Sequence, residues 1–284
     1  MLNPGLILRE ITLAILQGVT EIFPVSSSGH LIVWGEVLGK DVSYHQVLFL
    51  HLGTFLAIFV FYRKDVRALL TGREGWKLPL LLAASFAMTV AVGLPVKLFF
   101  VDSMEQPQNV SYLWLVNGLA VGALYSVSAQ GKKQLKDLRL QEFLVIGAIQ
   151  GITALPGISR LGWTLGAALL FRLTWFEALK LSFLLSLPTI FFGNLYEFAL
   201  KALPGWPIWM TENNAASDPM LGITLGRSDL WISPVYVLVL FISFCCGLWA
   251  LHVLSKYQSR RLLIYFGLYC ITSGIFFVYF LKLL

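Results

Sequence analysis

A cluster of polar side chains interrupts an apolar segment near the N-terminus. The stretch from Gln17 to His30, QGVTEIFPVSSSGH, carries an amide, a carboxylate, three serine hydroxyls and an imidazole. Each polar group that is buried without a partner costs several kcal/mol, so a segment that only had to lie in an apolar environment would not keep them. We therefore interpret this stretch as a site where chemistry takes place.

The residue types in this cluster suit proton transfer and nucleophilic attack. His30 can exchange protons near neutral pH, and Ser26 or Ser27 could be a nucleophile if His30 lies within hydrogen-bond reach. Glu21 could hold a divalent cation or orient the base. The alternatives are that the serines only cap a helix, that His30 is a satisfied buried histidine, and that Glu21 forms an inert ion pair.

A second polar cluster, PGISRLGWT at 156–164, has the types needed to bind an anion. A proline and Gly157 interrupt the helix. Ser159 can cap the next helix, and Arg160 falls in that helix's first turn. An arginine there opposes the helix dipole unless both the N–H groups and the guanidinium face a bound anion. The alternatives are that Arg160 extends to a membrane interface or pairs with Glu21 for structure.

The composition indicates an all-α integral membrane protein. Of 284 residues, 57% are hydrophobic and 13% are charged, and the mean hydropathy is +0.76, whereas soluble domains average about 25% charged residues. The apolar runs lack the two-residue alternation of a β-barrel strand. The net charge of +6 comes from basic residues in short loops between apolar runs, so it is an orientation signal and predicts no nucleic-acid partner.

The polar clusters split two apolar segments into short pieces, at 6–23 and 29–39 and at 143–155 and 160–172. We predict a re-entrant helix–loop–helix for each pair. The longer runs predict six transmembrane spans at 44–62, 78–100, 111–130, 175–201, 231–255 and 261–283. Basic residues place loops 63–77, 131–142 and 256–261 in the cytoplasm, and acidic residues place 101–110 and the polar stretch 202–230 outside.

This arrangement repeats within a single membrane domain, 1–284. QGVT at 17–20 recurs as QGIT at 150–153, and each is followed by a proline, serine and a second half-helix. The two repeats, 1–130 and 141–284, would each contain a re-entrant helix–loop–helix followed by three transmembrane helices, with 202–230 as an external polar insert. Three spans per repeat invert the second repeat relative to the first, so the two tips can meet near the midplane of the membrane.

A carboxylate, hydroxyls and an imidazole at one tip, with an anion-binding arginine at the other, suit phosphoryl transfer. Access through the bilayer implies a lipid substrate whose head enters the site. The alternative is a transporter or flippase of a lipid carrier, since inverted repeats are typical of transporters. We expect membrane lipids as further partners and consider a homodimer as the assembly.

At these residues the sequence resembles the undecaprenyl-diphosphate phosphatase, or bacitracin-resistance, family. The family's first motif, [E/Q]-x-x-x-E followed by serines and a histidine, matches Gln17, Glu21, Ser26, Ser27 and His30. Its second motif, P-G-x-S-R-S-x-x-T, matches Pro156, Gly157, Ser159, Arg160 and Thr164. HLGTFLA at 51–57 and RRLLIYFGL at 260–268 extend the resemblance over the chain.

The resemblance implies hydrolysis of the terminal phosphate of a polyprenyl (undecaprenyl-type) diphosphate at the outer face of the plasma membrane. This reaction recycles the lipid carrier of cell-wall biogenesis and uses Mg²⁺ or Ca²⁺. By resemblance, Glu21 and Gln17 assist the binding of metal or diphosphate, while Ser26, Ser27 and His30 serve catalysis. Arg160 grips the diphosphate, and the remaining motif residues complete its binding site, namely Gly157, Ser159 and Thr164. Serine, histidine and water all remain open as the attacking group.

Two positions depart from the motifs. Leu161 stands where the family has a second serine, which removes one hydroxyl from the diphosphate site. Gln17 is permitted by the motif, but its amide brings no second negative charge to a metal, so we expect lower metal affinity.

Overall fold

The computed structural model describes residues 4–38, 44–73, 75–127, 131–202, 234–257, 259 and 261–283. Apart from Ala202, the predicted insert 202–230 lies outside the described residues. In the described part of the chain, the regular structure is helical except for one isolated bridge between Lys133 and Leu173.

In chain order the α-helices are α1 (Pro4–Thr20), α2 (Ser27–Val37), α3 (Tyr44–Phe61), α4 (Arg63–Leu70), α5 (Lys77–Val96), α6 (Asp102–Met104), α7 (Pro107–Val127), α8 (Leu140–Ile152), α9 (Arg160–Leu170), α10 (Trp175–Ala202), α11 (Pro234–Lys256) and α12 (Arg261–Phe280). A π-helical turn, Lys97–Val101, follows α5, where Pro95 interrupts the regular hydrogen bonding. A short 3₁₀ helix, Leu135–Asp137, precedes α8.

Both predicted helix breaks are present, and local sequence explains each. Helix α1 ends before the turn that contains Pro24, and α2 begins after Ser26, whose hydroxyl accepts from the Gly29 N–H at 3.3 Å. Helix α8 ends at Ile152, and α9 begins after Ser159, whose hydroxyl accepts from the Gly162 N–H at 3.1 Å. Serine capping satisfies N–H groups that have no partner within the helix.

The prediction of an all-α integral membrane protein is confirmed. Four helical segments are long and apolar enough to cross a bilayer: Lys77–Met104, Trp175–Tyr196, Pro234–Lys256 and Arg261–Phe280. A fifth span results if α3 and α4, which are bent by 78° relative to each other, are counted together. In the described part of the chain, four of the six predicted spans therefore meet this criterion, and a fifth does so when α3 and α4 are taken as one span.

Helix α7 covers the predicted span at 111–130 as far as Val127, and its crossing of the membrane stays a prediction. One helix differs from the predicted elements. Helix α4 lies in a stretch predicted to be a loop, because its charged residues alternate with Val66 and Leu69, which pack against the core. Such an amphipathic helix suits a membrane surface.

Helices of the two predicted repeats pack against each other in matching pairs. Helix α1 packs on α11 as α8 packs on α5, and α3 contacts α11 as α10 contacts α5. The glycines of the two QG motifs lie at these contacts: a Cβ on Gly18 would be 2.5 Å from the Cys246 Cβ, and one on Gly151 would be 2.8 Å from the Gly93 nitrogen. Small residues allow such close approach in membranes. This correspondence supports the repeat, while its inverted orientation stays a prediction.

The largest apolar core lies beneath the two breaks. It joins α3, α8, α9 and α10 through fully buried side chains such as Ile58, Ile146, Leu165 and Leu181, and it includes Ile22 from the first break. Because this core contacts both breaks, its close packing holds the two breaks in fixed positions relative to each other.

Candidate active site at the two helix breaks

The structure brings the two breaks together. A Cβ on Gly29 would lie 3.2 Å from the Gly157 Cα, and a Cβ on Gly162 would lie 3.2 Å from the Pro24 Cβ. Gly157 has φ +92°, and a Cβ there would also approach the Leu113 Cβ at 2.8 Å. Glycine is thus required by both backbone conformation and space at this contact.

Glu21 is the centre of the cluster. Its Oε1 accepts from the Arg160 guanidinium in an ion pair that links the first break to the second. Its Oε2 accepts from the Ser27 hydroxyl at 2.5 Å and from the Gln17 amide nitrogen at 3.1 Å. The Glu21 side chain is 3% exposed and that of Arg160 is 20% exposed. A buried carboxylate is stable as an anion only with such a cation and donors.

His51 on α3 also faces Glu21. Its Nε2 lies 3.8 Å from the Glu21 Oε2, and its Nδ1 donates to the Val47 carbonyl at 2.9 Å. Because His45 and His51 lie near the start of an apolar span and His252 lies near the end of one, the sequence predicts structural roles for all three. His51 could have been selected from the sequence because it is an ionisable residue within an apolar span. His252 is exposed near the end of α11, and the His45 side chain lies outside the described residues.

His30 makes different contacts from those expected for a base of Ser27. Its Nδ1 lies 2.7 Å from the Ser26 carbonyl oxygen, and its Nε2 lies 2.7 Å from the Tyr269 hydroxyl. Its ring also packs on that of Trp114 at 4.7 Å between centroids. Both ring nitrogens are therefore directed away from the Ser27 hydroxyl, which donates to Glu21 instead.

The other residues predicted to bind diphosphate mostly form hydrogen bonds within the second helix break. The Ser159 hydroxyl caps α9, and the Thr164 hydroxyl donates to the Arg160 carbonyl at 2.9 Å. Asn117, which the sequence analysis did not select, accepts from the Ser159 N–H at 2.9 Å and from the Trp163 indole at 3.2 Å. Arg160 is thus the predicted residue of this motif whose side chain reaches Glu21.

A small cavity borders the Glu21–Arg160 ion pair. Its volume is about 10 Å³, and it is completed by residues of α3, α9 and α10, namely Ile58, Leu161, Ser182, Phe183 and Ser186. Leu161, which replaces the serine of the family motif, therefore presents an apolar side chain here. The two α10 serines were not selected from the sequence, and their hydroxyls donate to carbonyls of their own helix, at 2.8 Å for Ser182 and 2.7 Å for Ser186.

The predicted metal ligands, Gln17 and Glu21, suit a cation that is coordinated mainly by the phosphates of the enzyme's substrate. The Gln17 Oε1 is buried without a hydrogen-bond partner, and Glu21 offers a carboxylate beside it. No group of three or more His, Cys, Asp or Glu residues that could hold a metal occurs in the part of the chain that the structure describes. Mg²⁺ is often held by one or two carboxylates together with substrate phosphates and water, which this pair allows.

Fold and site together define an integral membrane protein in which a buried carboxylate joins a hydroxyl and a guanidinium. A model of the family "Bacitracin resistance protein BacA" matches residues 10–276, and the chain belongs to this family.

The relatives cover from two thirds of the chain to nearly all of it. A protein of Methanococcus vannielii named undecaprenyl-diphosphatase is 30% identical, covering 96% of this chain and 100% of that protein. Relatives with the same name occur in Thermosipho melanesiensis, 30% identical over 94% of this chain and 96% of the relative, and in Halothermothrix orenii, 34% identical over 67% and 74% respectively.

Proposed function

We propose that this protein is a membrane phosphatase that hydrolyses the terminal phosphate of an undecaprenyl-type diphosphate, releasing the monophosphate for reuse as a lipid carrier. The observation that carries the proposal is the Ser27–Glu21–Arg160 cluster at the contact of the two helix breaks. The family and the names of its relatives point to the same reaction.

Arg160 is the residue that receives the diphosphate. Its guanidinium borders the cavity and can form paired hydrogen bonds to phosphate oxygens. It also follows the capped start of α9, where backbone N–H groups and the helix dipole favour an anion. When the diphosphate pairs with Arg160, Glu21 loses its cation and becomes a stronger proton acceptor.

Ser27 is then the attacking group. Its proton moves to the Glu21 Oε2 along the existing 2.5 Å hydrogen bond as the Oγ forms a bond to the terminal phosphorus. The bond from that phosphorus to the bridging oxygen breaks, and Glu21 gives its new proton to this oxygen as the polyprenyl monophosphate leaves. Water then attacks the phosphoserine and gives a proton to Glu21, which passes it to the Ser27 Oγ as inorganic phosphate is released. Mg²⁺ or Ca²⁺ held by Glu21 and Gln17 would neutralise charge on the diphosphate.

An apolar groove beside the cavity suits the prenyl chain. It lies between α3 and α10 and is lined by Leu48, Leu52, Phe55, Ile190, Phe191, Asn194 and Leu195. Phe55 is one helical turn from Ile58, which lines the polar cavity. A lipid whose head meets Arg160 can thus place its chain along this groove.

We further propose that the protein lies in the plasma membrane with its site open to the outside. Basic residues concentrate in 63–77, 131–142 and 256–261, which places these loops in the cytoplasm. The first break would then enter from the outer face, as the lipid substrate requires.

Release of inorganic phosphate from polyprenyl diphosphate in detergent tests the proposal. Wild-type protein should release phosphate, and Arg160→Lys should release it at least about tenfold more slowly, since a lysine cannot reproduce the paired hydrogen bonds. Asp65→Asn, which alters an ion pair at another position, should keep the wild-type rate. A pure transporter would release no phosphate, and that result would overturn the proposal.

A further inference from the structure

The imidazole of His30 is held at both nitrogens. A carbonyl oxygen can only accept, so the Nδ1 that lies 2.7 Å from the Ser26 oxygen carries the proton. In the neutral ring, Nε2 then has a lone pair, which accepts from the Tyr269 hydroxyl at 2.7 Å. The two rings are stacked with centroids 5.7 Å apart and planes 3° apart. The Ser26 carbonyl therefore determines the tautomer of His30, and Tyr269 holds the orientation of its ring.

His30 bonds to the backbone of Ser26, which is strained. Ser26 has φ +68°, a conformation that costs about 1–3 kcal/mol for a residue other than glycine. The bond from His30 to the Ser26 carbonyl and the bond from the Gly29 N–H to the Ser26 hydroxyl both stabilise it. The next residue is Ser27, whose hydroxyl donates to Glu21. A relaxed Ser26 would turn the following side chain away from Glu21.

These contacts form one chain from α12 to the reacting hydroxyl. We propose that Tyr269 is a positioning residue: through His30 it holds the first helix break in the shape that directs the Ser27 hydroxyl at Glu21. The inference rests on the proposed function, because the group that Tyr269 positions is the proposed attacking group, Ser27. It also gives His30 a role that matches its contacts, as a support of the break.

Tyr269→Phe tests this role because it removes the hydroxyl and keeps the stacked ring. The rate of phosphate release at saturating substrate should fall at least about tenfold, while KM stays within about twofold, because Arg160 and the groove are unaltered. Tyr265→Phe is the matched control: Tyr265 lies one turn earlier on α12 with 65% exposure, and its variant should behave as wild type.

Two further measurements separate positioning from packing. In a His30→Ala background, Tyr269→Phe should cause no additional loss of rate, because its effect passes through His30. In protein labelled with ¹⁵N histidine, the His30 Nε2 resonance should shift in Tyr269→Phe and not in Tyr265→Phe. The His30 signal is assigned by its absence from His30→Ala.

Three results would overturn the inference: wild-type turnover in Tyr269→Phe, a full additional loss in the His30→Ala background, or an unchanged His30 resonance. If wild-type protein releases no phosphate, the proposed function fails, but the resonance still reports whether the Tyr269 hydroxyl bonds the His30 Nε2.

Discussion

Arg160→Gln should destabilise the protein more than an ordinary surface change. The substitution leaves the Glu21 carboxylate, 3% exposed, without its cation. Breaking a buried ion pair by removing one partner costs about 3–5 kcal/mol. For a domain of this size, each kcal/mol lowers the unfolding temperature by about 2–4 °C. Thermal unfolding in detergent should therefore shift down by on the order of 10 °C.

The double variant Glu21→Gln/Arg160→Gln provides the decisive comparison. It removes both charges, so it should recover at least half of the loss seen in Arg160→Gln alone. The control is Asp65→Asn, because Lys180 and Asp65 form a more exposed pair, with side chains 22% and 31% exposed. That change should cost less than about 1 kcal/mol. A double variant no more stable than Arg160→Gln would refute the coupling of the two breaks through this ion pair.

Three further predictions follow from the site. Glu21→Gln should lower kcat for phosphate release by about 10²–10⁴-fold, as loss of a general base does, and a near-wild-type kcat would contradict this role. Gly157→Ala should destabilise by about 1–3 kcal/mol in thermal unfolding because of the +92° φ and the 2.8 Å approach to the Leu113 Cβ, whereas Gly193→Ala, with open space around it, should not. Leu52→Trp should raise KM at least about fivefold, or about 1 kcal/mol, for a long-chain diphosphate only. An equal rise in KM for a short-chain substrate would exclude binding of the prenyl chain in this groove.

Much of the architecture could be predicted from the sequence because its signals are local. Proline, glycine and capping serines mark both breaks, and α9 begins at Arg160 as predicted. Long apolar runs gave the spans to within a few residues. The convergence of Glu21 and Arg160 also followed, since the repeat pattern placed both at matching tips. The alternatives for Arg160 included an ion pair with Glu21, and that pair is present.

The partners that complete the site could not be predicted, because they come from helices distant in sequence. Nothing in the local pattern of α12 distinguishes Tyr269 from Tyr265, yet one contacts His30 and the other is mostly exposed. Asn117 likewise supports the second break from α7. Motif spacing also cannot tell a hydroxyl that binds substrate from one that bonds its own helix, as Thr164 does.

Identifying the residue that carries the transferred phosphoryl group is the most direct test of the proposed chemistry. Protein mixed with diphosphate labelled at the terminal phosphorus is quenched in acid during turnover, digested and analysed for labelled peptides. We expect the label on Ser27, with none in Ser27→Ala. A label on His30 or Ser26, or no label in an enzyme that still releases phosphate, would contradict attack by the Ser27 hydroxyl from its hydrogen bond with Glu21.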